Sequence, residues 1–194
     1  MYRVATFHMF SLTTRLCVRF TTSIQCTGAG GNPSLILVNA AHPTIDGGIA
    51  YGYEGILYAV ARGADVINCS WRTARFVRNQ IFDAPYSEFE ALVLRIARES
   101  GSLVVAATGN DFGDGLWTTP AGYEDVLSVT STLRDAPVLL ESGNVAPWVD
   151  VAAPGQGNHY APRAGSVLSK DRHFGLSCRH SFNYRLCAYR HRQH

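Results

Sequence analysis

Three apolar runs, each too short for a helix and separated by segments of helical spacing, restrict what this chain can fold into more than any other feature. They are Ser34-Leu35-Ile36-Leu37-Val38, Asp65-Val66-Ile67-Asn68-Cys69-Ser70 and Leu103-Val104-Val105-Ala106-Ala107. Continuous apolar stretches of this length suit strands buried on both faces of a parallel sheet. After the first run, Ala41 to Gly48, which includes His42, reads as a loop. Ile49, Tyr53, Ile56, Leu57 and Val60 then recur at helical spacing, and Gly63 stands where a left-handed cap is wanted. Between the second and third runs, Ser87 is an N-cap followed by Glu88 and Glu90 in the first turn. Phe89, Leu92, Val93, Ile96 and Ala97 form one apolar stripe there, and Gly101 closes the helix.

Strand, helix, strand, helix, strand within about 75 residues predicts an α/β fold, a doubly wound parallel sheet with right-handed crossovers. Ligands of such sheets bind at the carboxyl ends of the strands. Here those ends carry Ser70 with Trp71, and Gly109 with Asn110. Residues 71 to 86 have no sustained period and read as an exposed loop over the sheet. Val126 to Thr130 and Trp148 to Val151 read as two further strands, the second running into Ala153-Pro154-Gly155.

Charge divides the chain where the periodicity stops. The formal net charge of +2 is the balance of three unequal segments. Residues 1–31 carry three Arg and no acid, residues 32–155 carry seven Arg against fourteen acids, and residues 156–194 carry seven bases against one acid. The last segment also holds five of the seven His and shows no apolar period. Three regions follow: an atypical basic segment 1–33, a patterned core 34–155, and a basic His- and Arg-rich tail 156–194 that reads as disordered or frame-shifted. No run of eighteen apolar residues exists, which excludes a helical membrane span. Arg15 and Arg19 interrupt what would be the apolar stretch of an export signal, and no small-residue cleavage pattern follows it. Five cysteines at these spacings suggest neither a metal pair nor a disulfide framework, and Cys69, inside an apolar run, reads as a buried thiol.

Four separated motifs carry a resemblance. They are Gly-Ala-Asp-Val-Ile-Asn-Cys-Ser-Trp (63–71), Leu-Val-Val-Ala-Ala-Thr-Gly-Asn-Asp (103–111), Thr-Pro-Ala-Gly-Tyr (119–123) before Val126-Leu127-Ser128-Val129, and Val149-Asp150-Val151-Ala152-Ala153-Pro154-Gly155. In this order and at this spacing the segment from about Ser34 to Gly155 resembles the subtilisin-like serine peptidases, the subtilases. The resemblance implies a subtilisin-like sheet, incomplete at both ends, whose parent activity is peptide-bond hydrolysis through an acyl-serine intermediate. It implies that Asn110 is the oxyanion-hole donor, a fixed amide aimed at the charge that develops in the tetrahedral intermediate. It makes Ser70 and Trp71 part of the cleft where an extended peptide pairs with backbone groups as an added strand. Ala107, Thr108 and Gly109 become the opposite wall of the primary specificity pocket. The family usually has glycine after the Trp71 position, and this chain has Arg72. Ala121, Tyr123 and Val126 match a loop that in relatives can offer backbone carbonyls to a weak calcium or sodium ion; no other cofactor is implied. Asp111 and Asp114 read as solvated loop acids.

Acyl transfer in this family needs a serine, a histidine base and an aspartate that orients it. The aspartate motif should lie upstream of the resemblance, yet the first acid is Asp46; of the His-Gly-Thr-His motif only His8 stands in the right region, without the companion residues. Ser177, in Gly175-Leu176-Ser177-Cys178, falls near the family's distance from Ala-Pro-Gly. The residues that follow it, Arg179 to Arg185, lack the small-residue run of the family's nucleophile helix. Ser177 is therefore the one candidate nucleophile and a poor match, since a serine without a base has no activated hydroxyl. These departures predict an internal piece of a subtilase, inactive as it stands, with ends from a shifted frame or coding boundary. Two other readings come from different classes. A non-catalytic peptide-binding module would use the same cleft, and a nucleotide-binding α/β protein would use Gly28-Ala29-Gly30-Gly31, which precedes the first clear strand instead of following one. The expected partner is a peptide or protein substrate and not nucleic acid, because the basic tail has no amphipathic spacing. Subtilases are largely exported, but no address is legible in these residues.

Overall fold

The computed structural model describes residues 3–8, 34–45, 49–73, 75–77, 80–110, 116–133 and 143–154. The strands β1 (Arg3–His8), β2 (Ser34–Asn39), β3 (Val66–Cys69), β6 (Leu103–Ala107), β7 (Val126–Thr132) and β8 (Val151–Pro154) form a six-stranded sheet. Its order is β2-β1-β3-β6-β7-β8, and every pairing is parallel. The fold is α/β with a parallel sheet, as expected from the alternating runs.

The pattern predicts no element before Ser34, yet β1 lies between β2 and β3. Arg3 to His8 pairs residue for residue with Ser34 to Asn39, and Val4 to Thr6 pairs with Val66 to Asn68. The run Val4-Ala5-Thr6-Phe7 is too short, and too closely flanked by Arg3 and His8, to read as a buried strand alone. Its burial comes from neighbours on both sides: Val4 is 3% exposed and Ala5 fully buried. Strand order also reverses at β1, because the chain goes from β1 outward to β2 and then crosses back to β3. Such a reversal is the switch point at which ligand crevices open beyond the strand ends.

Helix α1 (Gly52–Ala61) joins β2 to β3, and α2 (Glu88–Glu99) precedes β6. Successive crossovers in one direction put both helices on the same face, where they pack on each other. Ile56 and Ala59 of α1, with Val93, Leu94 and Ala97 of α2, meet Ala5, Ile67, Cys69, Val104 and Ala106 from the sheet. Strand alternation sends Val4, Val66, Val105, Val129 and Ala153 to the opposite face. Each large side chain fully buried this way, such as Ile56, Ile67 or Leu94, stabilises the fold by about 1.5–3 kcal/mol. Glycine at position 55 lets α1 settle onto β1, since a Cβ there would stand 2.5 Å from the Phe7 ring.

The α2 cap is as expected: Ser87 Oγ accepts from the Glu90 N–H at 3.4 Å. The buried stripe is turned slightly from the expected one. Phe89 and Leu92 are half exposed, and Leu94 takes the fully buried place. Two expected segments also change character. Residues 71–86 are not wholly irregular, because β4 (Arg75–Val77) and β5 (Gln80–Phe82) pair as a short antiparallel hairpin. The last strand begins at Val151 and not at Trp148, because the segment before it is held by side chains. Asp150 Oδ2 accepts from both the backbone N–H and the hydroxyl of Ser128, each at 2.8 Å. No helix among the described residues is long and apolar enough to cross a membrane.

Candidate active site

Strands β3 and β6 are neighbours in register, Cys69 opposite Ala106, so the segments that follow them leave the sheet side by side at its carboxyl edge. This brings Ser70-Trp71-Arg72 next to Ala107-Thr108-Gly109-Asn110, two stretches far apart in sequence. The edge adjoins the β1 switch point, where His8 ends its strand opposite Asn39.

The β6 side is the more rigidly built. Thr108 is fully buried, and its N–H donates to the Val129 carbonyl at 3.1 Å. Its hydroxyl donates to the Asn144 carbonyl at 3.1 Å. In return the Thr108 carbonyl accepts from Asn144 Nδ2 at 3.0 Å and from the Thr118 hydroxyl at 3.1 Å. The carbonyl of Asn144, a residue 1% exposed, also takes a hydrogen bond from Thr130 Oγ1 at 2.8 Å, and its own N–H donates to the Gly109 carbonyl at 3.2 Å. A buried polar network satisfied this fully rigidifies the turn it surrounds. Sequence spacing gives no sign of Asn144, whose role depends on loops brought together only by the fold. Gly109 has φ +113°, a conformation that L side chains rarely adopt. Asn110 follows it, half buried, at the edge of the sheet.

On the β3 side, Ser70 is tied to its own strand, with Asn68 Nδ2 donating to Ser70 Oγ at 3.1 Å. Trp71 turns its indole into the core and leaves only its backbone at the edge. It is 7% exposed and stands edge-on to Tyr53, 5.4 Å between ring centres, and to Phe7 at 6.2 Å. Gly52 makes room for it, since a Cβ there would come within 2.6 Å of the indole. Arg72, half buried, reaches back across Gly109. Cys69 behind this edge is fully buried, and burial pushes its thiol well above the ordinary range. His42 is a loop residue as expected, its Nδ1 accepting from the Ile45 N–H at 3.1 Å.

The loop after β6 carries a separate feature. Ala121 is buried, the Tyr123 carbonyl accepts from the Val126 N–H at 3.1 Å, and the Trp117 indole donates to the Gly122 carbonyl at 3.0 Å. Tyr123, Trp117 and Tyr86 line an open cleft of about 580 Å³ against α2. The Tyr123 hydroxyl lies 3.0 Å from Glu90 Oε2, which also accepts from Tyr53 at 2.8 Å. Burial first, and then the nearby Glu90 carboxylate, push Tyr123 up to about 12, against the lowering effect of its hydrogen bond with the Ser87 backbone. Among the described residues no three His, Cys, Asp or Glu side chains cluster as a metal site. Gly28 to Gly31, Asp111, Asp114 and Ser177 lie outside the described residues.

A model of the subtilase family, peptidase S8, matches residues 32–183. The chain belongs to the subtilase family. That match runs past Gly155, where the motifs end, and spans Ser177. The chain is 31% identical over 163 residues to a thermophilic serine proteinase of Bacillus sp. (strain AK1), covering 79% of this chain and 38% of that protein. It is 32% identical over 145 residues to the halolysin-like extracellular serine protease Nep of Natrialba magadii, covering 74% of this chain and 23% of that one. This subtilase chain thus spans well under half the length of these curated relatives. The fold is also that of the prenylagaramide maturation protease PagA, with a TM-score of 0.62 at 21% identity over 79% of this chain and 63% of that one. The epidermin leader peptide processing serine protease of Staphylococcus aureus gives a TM-score of 0.54 at 23% identity, over 66% of this chain and 36% of its own.

Proposed function

We propose that this subtilase chain carries the substrate-binding and oxyanion side of a serine endopeptidase, and that as it stands it does not cleave peptide bonds. The observation that supports the first part is the adjacency of the ends of β3 and β6, which leaves two family motifs side by side at the carboxyl edge of the sheet. In this reading an extended peptide lies along Ser70 and Trp71 as an added strand and offers a side chain toward Ala107, Thr108 and Gly109. Asn110 then faces the scissile carbonyl as oxyanion donor. Its place on a turn held by Asn144 supports that role, since such a donor works only when fixed before charge develops. Losing the equivalent donor costs subtilisin itself about 2.7–4 kcal/mol of transition-state stabilisation.

The second part rests on the residues of the chain. Neither the aspartate motif nor the His-Gly-Thr-His motif stands in it, so no base is assigned to Ser177 and its hydroxyl keeps ordinary, weak nucleophilicity. The core 34–155 then carries the cleft. The loop from Ala121 to Val126 offers at most a weak cation site made of backbone carbonyls.

Titration with an extended alanine-rich hexapeptide, followed by backbone and side-chain amide resonances, tests the cleft. Shifts concentrated at Ser70 to Arg72, Thr108 to Gly109 and the Asn110 side-chain amide, with the peptide recovered whole, are expected. Binding that leaves those resonances unmoved, or cleavage of the peptide, would overturn the proposal.

A further inference from the structure

Arg72 stands where close approach of a peptide backbone would favour glycine, and the structure shows where its side chain goes. A Cβ built on Gly109 would lie 2.5 Å from Arg72 Cδ and 2.7 Å from its Nε. The stem of Arg72 therefore lies flat against the Gly109 backbone. Since Arg72 follows β3 and Gly109 follows β6, the side chain spans the gap between the two strand ends. Its guanidinium is set beside the turn that bears Asn110. Asn144 Nδ2 closes the other side of Gly109, 2.6 Å from the same built Cβ, so the stem cannot sink further.

We propose that Arg72 makes this cleft selective for a carboxylate, so that the peptide side chain entering between the two segments is Glu or Asp. The inference rests on the cleft reading above. An apolar side chain entering there would form no charge-assisted bond with the guanidinium, and a cationic one would meet like charge. A carboxylate meets a planar fork of donors, and the bonds it forms are charge-assisted and bidentate. A guanidinium presents five N–H groups, so it can keep a protein neighbour and hold a ligand carboxylate at the same time. Its stem is already packed on Gly109, which lowers the entropy lost when the carboxylate binds.

The test compares three peptides, acetyl-Ala-Val-Ala-Xaa-Ala-Ala-amide with Xaa as Glu, Leu or Lys, titrated into the full chain and into Arg72→Gln and Arg72→Lys. The amide resonances of residues 70–72 and 108–109 report occupancy of the cleft. The Glu peptide should bind about tenfold tighter than the Leu peptide, with Lys weakest. The preference should shrink between low and high salt, vanish in Arg72→Gln and survive in part in Arg72→Lys. Equal affinity for Glu and Leu in the unaltered chain, or a preference untouched by Arg72→Gln, overturns the role of Arg72 while leaving the cleft in place. If none of the peptides moves those resonances in any of the three proteins, the cleft reading itself fails and the inference with it.

Discussion

At the level of single residues, the turn from Thr108 to Asn110 was legible because glycine and asparagine are the residues that turns demand. What the turn rests on was not legible. Asn144, Thr118 and Thr130 reach it from loops and strands with no sequence relation to it, and the burial of Trp71 depends on the absence of a side chain at Gly52. Gly109→Ala should cost about 1–3 kcal/mol in denaturant unfolding, because it adds a Cβ against Arg72 to a backbone at φ +113°. Part of that loss is steric contact with Arg72, so pairing it with Arg72→Gly should recover more than about 0.5 kcal/mol; strict additivity would show that the two do not touch. Tyr123 gives a pH prediction. Unfolded tyrosine ionises near pH 10.0 and the folded one near 12, so between these values the unfolded chain has lost a proton that the folded chain keeps. Stability from this group is therefore fully present below pH 10 and falls as pH rises toward 12. Tyr123→Phe should flatten that decline in unfolding curves collected across the range.

Among the elements, α2 and β6 could be drawn from the sequence because each carries its own signals: a cap, a stripe, a closing glycine, a continuous apolar run. Ser87→Ala should destabilise the chain by about 1 kcal/mol by removing the acceptor for the Glu90 N–H. The strand β1 carries no such signals, since its six residues become a strand only when β2 and β3 close on both sides of it. The sheet itself is the reason that the charge-based boundary near residue 33 does not mark where strands begin. Val4→Asp would put an unpaired carboxylate among Val66, Val105 and Val129, and should lower stability by at least about 3 kcal/mol or abolish cooperative unfolding. Leu37→Asp, on a strand position 47% exposed, should cost far less. Similar effects of the two in thermal unfolding would mean that β1 is not part of the folded sheet.

Across the whole molecule, the balance of charge has a simple structural counterpart. Among the described residues, the acidic segment 32–155 supplies both helices and five of the six sheet strands, and the basic segment 1–31 supplies β1. The family was legible because its motifs sit at strand ends, where backbone geometry limits the residue choices. The catalytic triad was not legible, because neither the aspartate nor the histidine motif is present, and a lone Ser177 has no spacing partner to identify it. The proposed reading is a subtilase cleft with Asn110 as oxyanion donor and without an activated nucleophile. A fluorophosphonate probe followed by intact-mass spectrometry decides whether the chain is so built. The purified, folded chain should remain unlabelled at neutral pH, whereas stoichiometric labelling mapped to Ser177 would contradict the absence of an activated serine.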